Sequence, residues 1–145
     1  MRNGMNAYVI KPDLDTCLTA VILGIGADDE VSFGDTDALE ILLSDPAVFC
    51  IEAGGSGRVG ENNFDHHLPG LRLPPACRQA FTRQGSSDRH LERMVSYVSL
   101  VDDGLPIIPA PGFPSLSGLF SGMLLMEQGK EAQFHAGCRL ITRTR

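Results

Sequence analysis

The chain has 145 residues, a formal net charge of −6, 43% hydrophobic residues and 21% charged residues. That length suits one ordinary domain with a buried core, and the composition excludes a disordered polyelectrolyte. So acidic a chain argues against general binding of nucleic-acid backbone, although a metal ion could still draw a phosphorylated substrate to it.

The first predicted element is a short buried strand, "NAYVIKP" (6–12), stopped by Pro12. "DLDTCLTAVILGIGADDE" then turns into a helix capped by Asp15 or Thr16, with its apolar run from Leu18 to Ile25. "VSFG" (31–34) is a second strand, and "DTDALEILLSD" (35–45) a second helix capped by Asp35 or Thr36. "AVFCIEAGG" (47–55) is a third strand, apolar on both faces as far as Ile51. This strand–helix alternation predicts an open, mainly parallel α/β sheet with helices on both faces. In such sheets, sites form beyond the carboxyl ends of the strands. Asp13, Asp15, Glu52 and the run Asp65-His66-His67 would gather there.

Further on, "SDRHLERMVSYVSLVDDG" (87–104) reads as a helix. Leu91, Val95, Val98 and Asp102 share one helical phase, so Asp102 stands on the inward face and Asp103 points about 100° away. A carboxylate on an inward face needs a partner. A proline-rich connector (104–115) leads to two closing helices broken near Gly129. The whole chain reads as a single domain without internal repeats. Cys17, Cys50, Cys77 and Cys138 form no CxxC pair, which argues for free thiols rather than a zinc knuckle. No secretory leader pattern opens the sequence and no apolar run approaches the ~20 residues of a membrane span. A soluble cytoplasmic protein is expected.

Each candidate site residue has a plainer reading. Asp13 and Asp15 could both face a hard divalent cation, or one of them could simply cap a helix. Glu52 could be a solvated strand end, and Asp65-His66-His67 a polar turn. Gly55, Gly57 and Gly60 spell the dinucleotide fingerprint G-x-G-x-x-G, but that motif needs a helix to begin beside it, and "ENNFDHHLPG" shows no helical pattern. The glycines, Gly57 among them, are expected to pass the backbone close to a site or make an anion nest, with Arg58 adding charge.

Taken together, "PDLD" after the first strand, the acidic end of a later strand, "FDHH" and "YVSLVDDG" resemble the motifs of the DHH phosphoesterase superfamily. That group includes family II pyrophosphatases, exopolyphosphatases and enzymes that cleave oligoribonucleotides or cyclic dinucleotides. The resemblance covers roughly residues 6 to 104. It implies a divalent-metal-dependent phosphohydrolase acting on a small phosphorylated substrate, with Mn²⁺ or Mg²⁺ as cofactor. Asp13, Asp15, Glu52, His66 and Asp102 would be metal ligands, His67 would contact phosphate, and Asp65 would orient a histidine. Two departures stand out: Val9 occupies a position where the family often has His, and Glu52 one where it has Asp. No second, substrate-binding domain of the family is expected within these 145 residues. Incomplete metal occupancy is therefore expected, with the tighter ion near Asp15, His66 and Asp102. The alternative is a catalytically weak or inactive module that binds a partner. The apolar "GLFSGMLLM" (118–126) predicts a homo-oligomer.

Overall fold

A computed structural model describes residues 3–34, 39–105 and 115–144. In chain order these form β1 (Asn6–Val9), α1 (Leu14–Leu23), β2 (Glu30–Phe33), α2 (Leu39–Leu43), β3 (Val48–Ile51), a 3₁₀ turn (Val59–Glu61), β4 (Asn63–Phe64), α3 (Ala76–Gln84), α4 (Arg89–Asp102), α5 (Leu116–Met126) and α6 (Lys130–Thr144). The strands make a parallel sheet in the order β2-β1-β3-β4. The α/β architecture expected from the alternation is therefore present.

The register sets the geometry of everything that follows. Val9 stands opposite Phe33 on one side and Ile51 on the other, and Ile51 opposite Phe64. The chain leaves β1 toward β2 on one side and returns to β3 on the other. Helix α1 covers one face, through Leu14, Cys17, Leu18 and Leu23 packed on Val9, Ile51 and Phe64. Helix α2 covers the other, through Leu42 and Leu43 against Tyr8, Val48, Cys50 and Ala53. The point where the winding reverses thus lies between the carboxyl ends of β1 and β3, the place where open α/β sheets of this kind bind ligands.

The larger core also takes in α3, α4 and α6, with Val95, Val98, Phe134 and Ile141 almost fully buried. Each such side chain contributes about 1.5–3 kcal/mol over its exposed form. Phe134 packs edge-on against Phe33, ring centroids 5.6 Å apart, which docks the start of α6 at the carboxyl end of β2. A Cβ on Gly137 would meet Cys17 Sγ at 2.7 Å and Phe120 at 2.8 Å, so glycine lets α6 lie close on α1 and α5.

Several expectations are corrected. Asp13, not Asp15 or Thr16, caps α1: its side chain accepts from Thr16 N. The strand expected over 6–12 ends at Val9, and that over 47–55 at Ile51, where the next residue, Glu52, takes a left-handed backbone. The second helix is described only from Leu39, and its expected caps, Asp35 and Thr36, lie outside the described residues, as does most of the proline-rich connector. Helix α3 and strand β4 were not expected. Among the described residues, no helix is long and apolar enough to cross a membrane.

Candidate metal centre

The DxD segment serves two helices. Asp13 is extended (φ −83°, ψ −177°) and caps α1, while Asp15, in the first turn, turns back into the protein and is only 3% exposed. Asp15 Oδ2 accepts from Ala76 N at 3.0 Å and Oδ1 from Cys77 N at 2.8 Å, the first two amides of α3. Each aspartate therefore satisfies orphan helix amides, Asp13 on its own helix and Asp15 on a distant one. Each carboxylate oxygen still has a lone pair for a cation.

Glu52 follows the last residue of β3 with a left-handed backbone (φ 49°), uncommon for a residue with a side chain. The turn brings its carboxylate to Thr16 and His66. Oε2 accepts from Thr16 Oγ1 at 3.1 Å, and Oε1 lies 3.1 Å from His66 Nε2. Burial first, then the carboxylates of Asp13 and Asp15, push the Glu52 carboxyl up to about 11. Asp102, the last residue of α4, reaches the same point: its Oδ2 is 3.2 Å from His66 Nε2, and burial followed by Asp15 raises its carboxyl. Asp103 is the C-cap of α4, and it and Asp102 are both exposed. The Asp102 carboxylate turns toward His66 but keeps a quarter of its side chain open to solvent, so the inward face expected of it is only partly realised.

His66 Nε2 is the centre of this group, 3.1 Å from Glu52, 3.2 Å from Asp102 and 3.8 Å from Asp15. One atom from each of the four residues lies within 4.8 Å of the others, close enough to hold a metal ion. Glu52, His66 and His67 make a second such group that shares two members with the first. Asp13 belongs to neither group, but its carboxylate is near enough to help raise the Glu52 carboxyl.

Asp65 has a different task. It is 2% exposed and accepts from Gly55 N (2.6 Å), His66 N (2.7 Å) and His67 N (3.3 Å), with His67 Nδ1 at 2.6 Å from Oδ1. These bonds fold the DHH turn and set the His67 ring against His66 (centroids 4.3 Å apart), with His67 largely exposed. A carboxylate on Nδ1 leaves Nε2 of His67 to face solvent or substrate.

Arg58 and Gly57 do not join this set. The Arg58 guanidinium pairs with Glu61 at 3.3 Å and with Ser56 Oγ at 3.0 Å. A Cβ on Gly57 would meet Leu73 at 2.8 Å, so this glycine serves close packing of the loop. The helix that a dinucleotide fingerprint requires is absent here. A single 3₁₀ turn follows Arg58 and runs directly into β4.

Sequence reasoning missed Thr16 and the Ala76 and Cys77 amides, which hold Glu52 and Asp15. The double proline Pro74-Pro75 before "ACRQAFTRQ" is the pattern that announces such a helix start. Compared with known protein families, curated proteins and solved structures, the chain matches none of them.

Proposed function

We propose that the protein is a divalent-metal-dependent phosphohydrolase of the DHH type, acting on a small phosphate ester or anhydride, with Mn²⁺ or Mg²⁺ as cofactor. The observation that carries this reading is the meeting of Asp15, Glu52, His66 and Asp102, from four separate segments, at one point of the sheet's carboxyl edge. Three carboxylates and one imidazole are the donor set of a hard or borderline divalent cation. Such a cation would supply charge for phosphoryl oxygens and lower the pKa of a water molecule. The chain's own residues do the rest. Thr16 and Asp65 fix Glu52 and His67 in orientation, and exposed His67 is placed to hold a proton or a phosphoryl oxygen. Self-association through α5 belongs to the same reading, since Leu125 and Met126 are exposed there.

A second reading, an inactive DHH-like binding module, draws support from one observation. Asp13, Asp15, Glu52 and His66 already have partners within the protein. Titration calorimetry with Mn²⁺, alongside hydrolysis of p-nitrophenyl phosphate with and without Mn²⁺, separates the two. The enzyme reading expects Mn²⁺ binding that His66→Ala and Asp102→Asn abolish, and hydrolysis that vanishes with it. Tight Mn²⁺ binding with no turnover of any phosphate ester or anhydride would leave the binding module.

A further inference from the structure

The chain contains only two lysines, Lys11 and Lys130, 119 positions apart in the sequence. Both come to the carboxyl edge of the sheet. Lys11 stands two residues beyond the end of β1 and is exposed. Lys130 is the first residue of α6, and its ammonium donates to Gly34 O at 3.2 Å, one residue beyond β2. This placement is built into the packing. Phe134, one helical turn after Lys130, sits edge-on against Phe33, the residue before Gly34. Among the described residues, Lys130 has no carboxylate within salt-bridge distance, and an ammonium bonded to one carbonyl keeps further donors for an anion.

The register gives the spacing to the carboxylate cluster. Gly34 and Glu52 follow Phe33 and Ile51, which flank Val9 on either side. Two strand spacings place Gly34 about 10 Å from Glu52. We propose that Lys130, with Lys11, forms an anion subsite along the same edge, so that the substrate carries a second phosphoryl group about 6 Å from the one held at the cluster. One intervening phosphate, or a three-atom linker, spans that distance. The inference rests on the phosphohydrolase reading for the identity of the first group, but not on turnover.

Two nonhydrolysable probes test it: propane-1,3-diyldiphosphonate, with two phosphoryl groups, and propylphosphonate, with one. Calorimetry on the full chain with Mn²⁺ present should show the diphosphonate bound about tenfold more tightly, the worth of one charge-assisted contact. Lys130→Ala should bring the ratio near one, Lys11→Ala should reduce it in part, and Lys130→Arg should keep most of it. Arg139→Ala removes the same charge from the same helix away from this edge and should keep the full ratio. No preference in the wild type, or a preference that survives Lys130→Ala, overturns the subsite. A wild type that hydrolyses p-nitrophenyl phosphate but shows no preference sinks only the subsite. A lysine-dependent preference without any hydrolysis sinks only the phosphohydrolase reading.

Discussion

At the carboxyl edge of the sheet, Asp15 and Asp65 are 3% and 2% exposed, and the side chains of Glu52 and His66 are 5% and 14% exposed. On α5 the pattern is reversed. Its eleven residues carry no charge, yet only Phe120 is buried, while Leu125 and Met126 are 89% and 84% exposed. The first region confines polar groups, and nearly all of them are tied by directed bonds. The second displays apolar side chains with little to hold them. A buried carboxylate is tolerable only when hydrogen-bonded or paired, whereas an exposed leucine costs little in the isolated chain. Substitutions should therefore act very differently in the two places.

The largest expected effect is at Asp15. Asp15→Ala removes the acceptor of two α3 amides and leaves both buried N–H groups unpaired, a loss of about 3 kcal/mol of unfolding free energy. Asp15→Asn keeps one acceptor oxygen and should lose less. Urea denaturation reads both. If the alanine variant is as stable as the wild type, α3 is not held by this carboxylate.

Metal binding should act in the opposite sense. At a free Mn²⁺ concentration of 100 times Kd, the folded state gains about 2.7 kcal/mol. Without metal, pH works on the carboxyls. Glu52 is raised from 4.5 to about 11 by burial and its acidic neighbours, and Asp102 is raised as well. The folded state then holds a proton that the unfolded state has released, so metal-free stability falls as pH rises from about 4.5 toward 11. Thermal melts at pH 5.5 and 8 should show the higher midpoint at pH 5.5. With Mn²⁺ the order should narrow or reverse, because the ion needs the ionised carboxylates. Calorimetry at pH 7 in buffers of different ionisation enthalpy should detect release of about one proton per ion bound. No proton release would contradict Glu52 as a ligand.

Occupancy follows from the same residues. The expectation is one tight Mn²⁺ site, near Asp15, His66 and Asp102. Asp13 stands outside the four-residue group as the cap of α1, and Val9 lies fully buried in the core on β1. Glu52→Asp shortens the side chain by about 1.5 Å, large against metal–ligand tolerances of about 0.2 Å. The resemblance expects Asp at this position to favour metal, but the contacts of Glu52 to Thr16 and His66 reverse that expectation: losing them should weaken the site. Two tight sites in the unmodified protein would refute this.

The strand–helix alternation, the side of α4 from which Asp102 reaches His66 and the closing helices were legible because each rests on a period or a punctuating residue. Strand β4 was not, since two residues have no period and its link from β3 is a glycine-rich loop rather than a crossover helix. Helix α3 hid because its buried face is made of Ala76, Cys77, Gln79, Ala80 and Phe81, mostly small or polar. With α3 unseen, Asp15 could be placed near the carboxyl edge of the sheet but not tied to a partner. The Glu52 turn was equally hidden, because a positive φ at glutamate follows from the surrounding contacts, not from the residue type.

The smallest expected effect completes the contrast. Leu125→Gln with Met126→Gln exchanges exposed methylenes for amides that water satisfies, and neither side chain contributes to a buried cluster. Unfolding free energy should change by no more than about 0.5 kcal/mol. Association is a separate quantity. If α5 joins copies of the chain, the apolar area removed from water at the contact is lost with these two side chains, and the wild-type assembly should dissociate while each copy stays folded. Light scattering at tens of micromolar reads the mass, and urea denaturation reads the fold. A monomeric wild type would remove α5 as a self-association face. A stability loss as large as that of Asp15→Ala would show instead that α5 is held as firmly as the carboxyl edge.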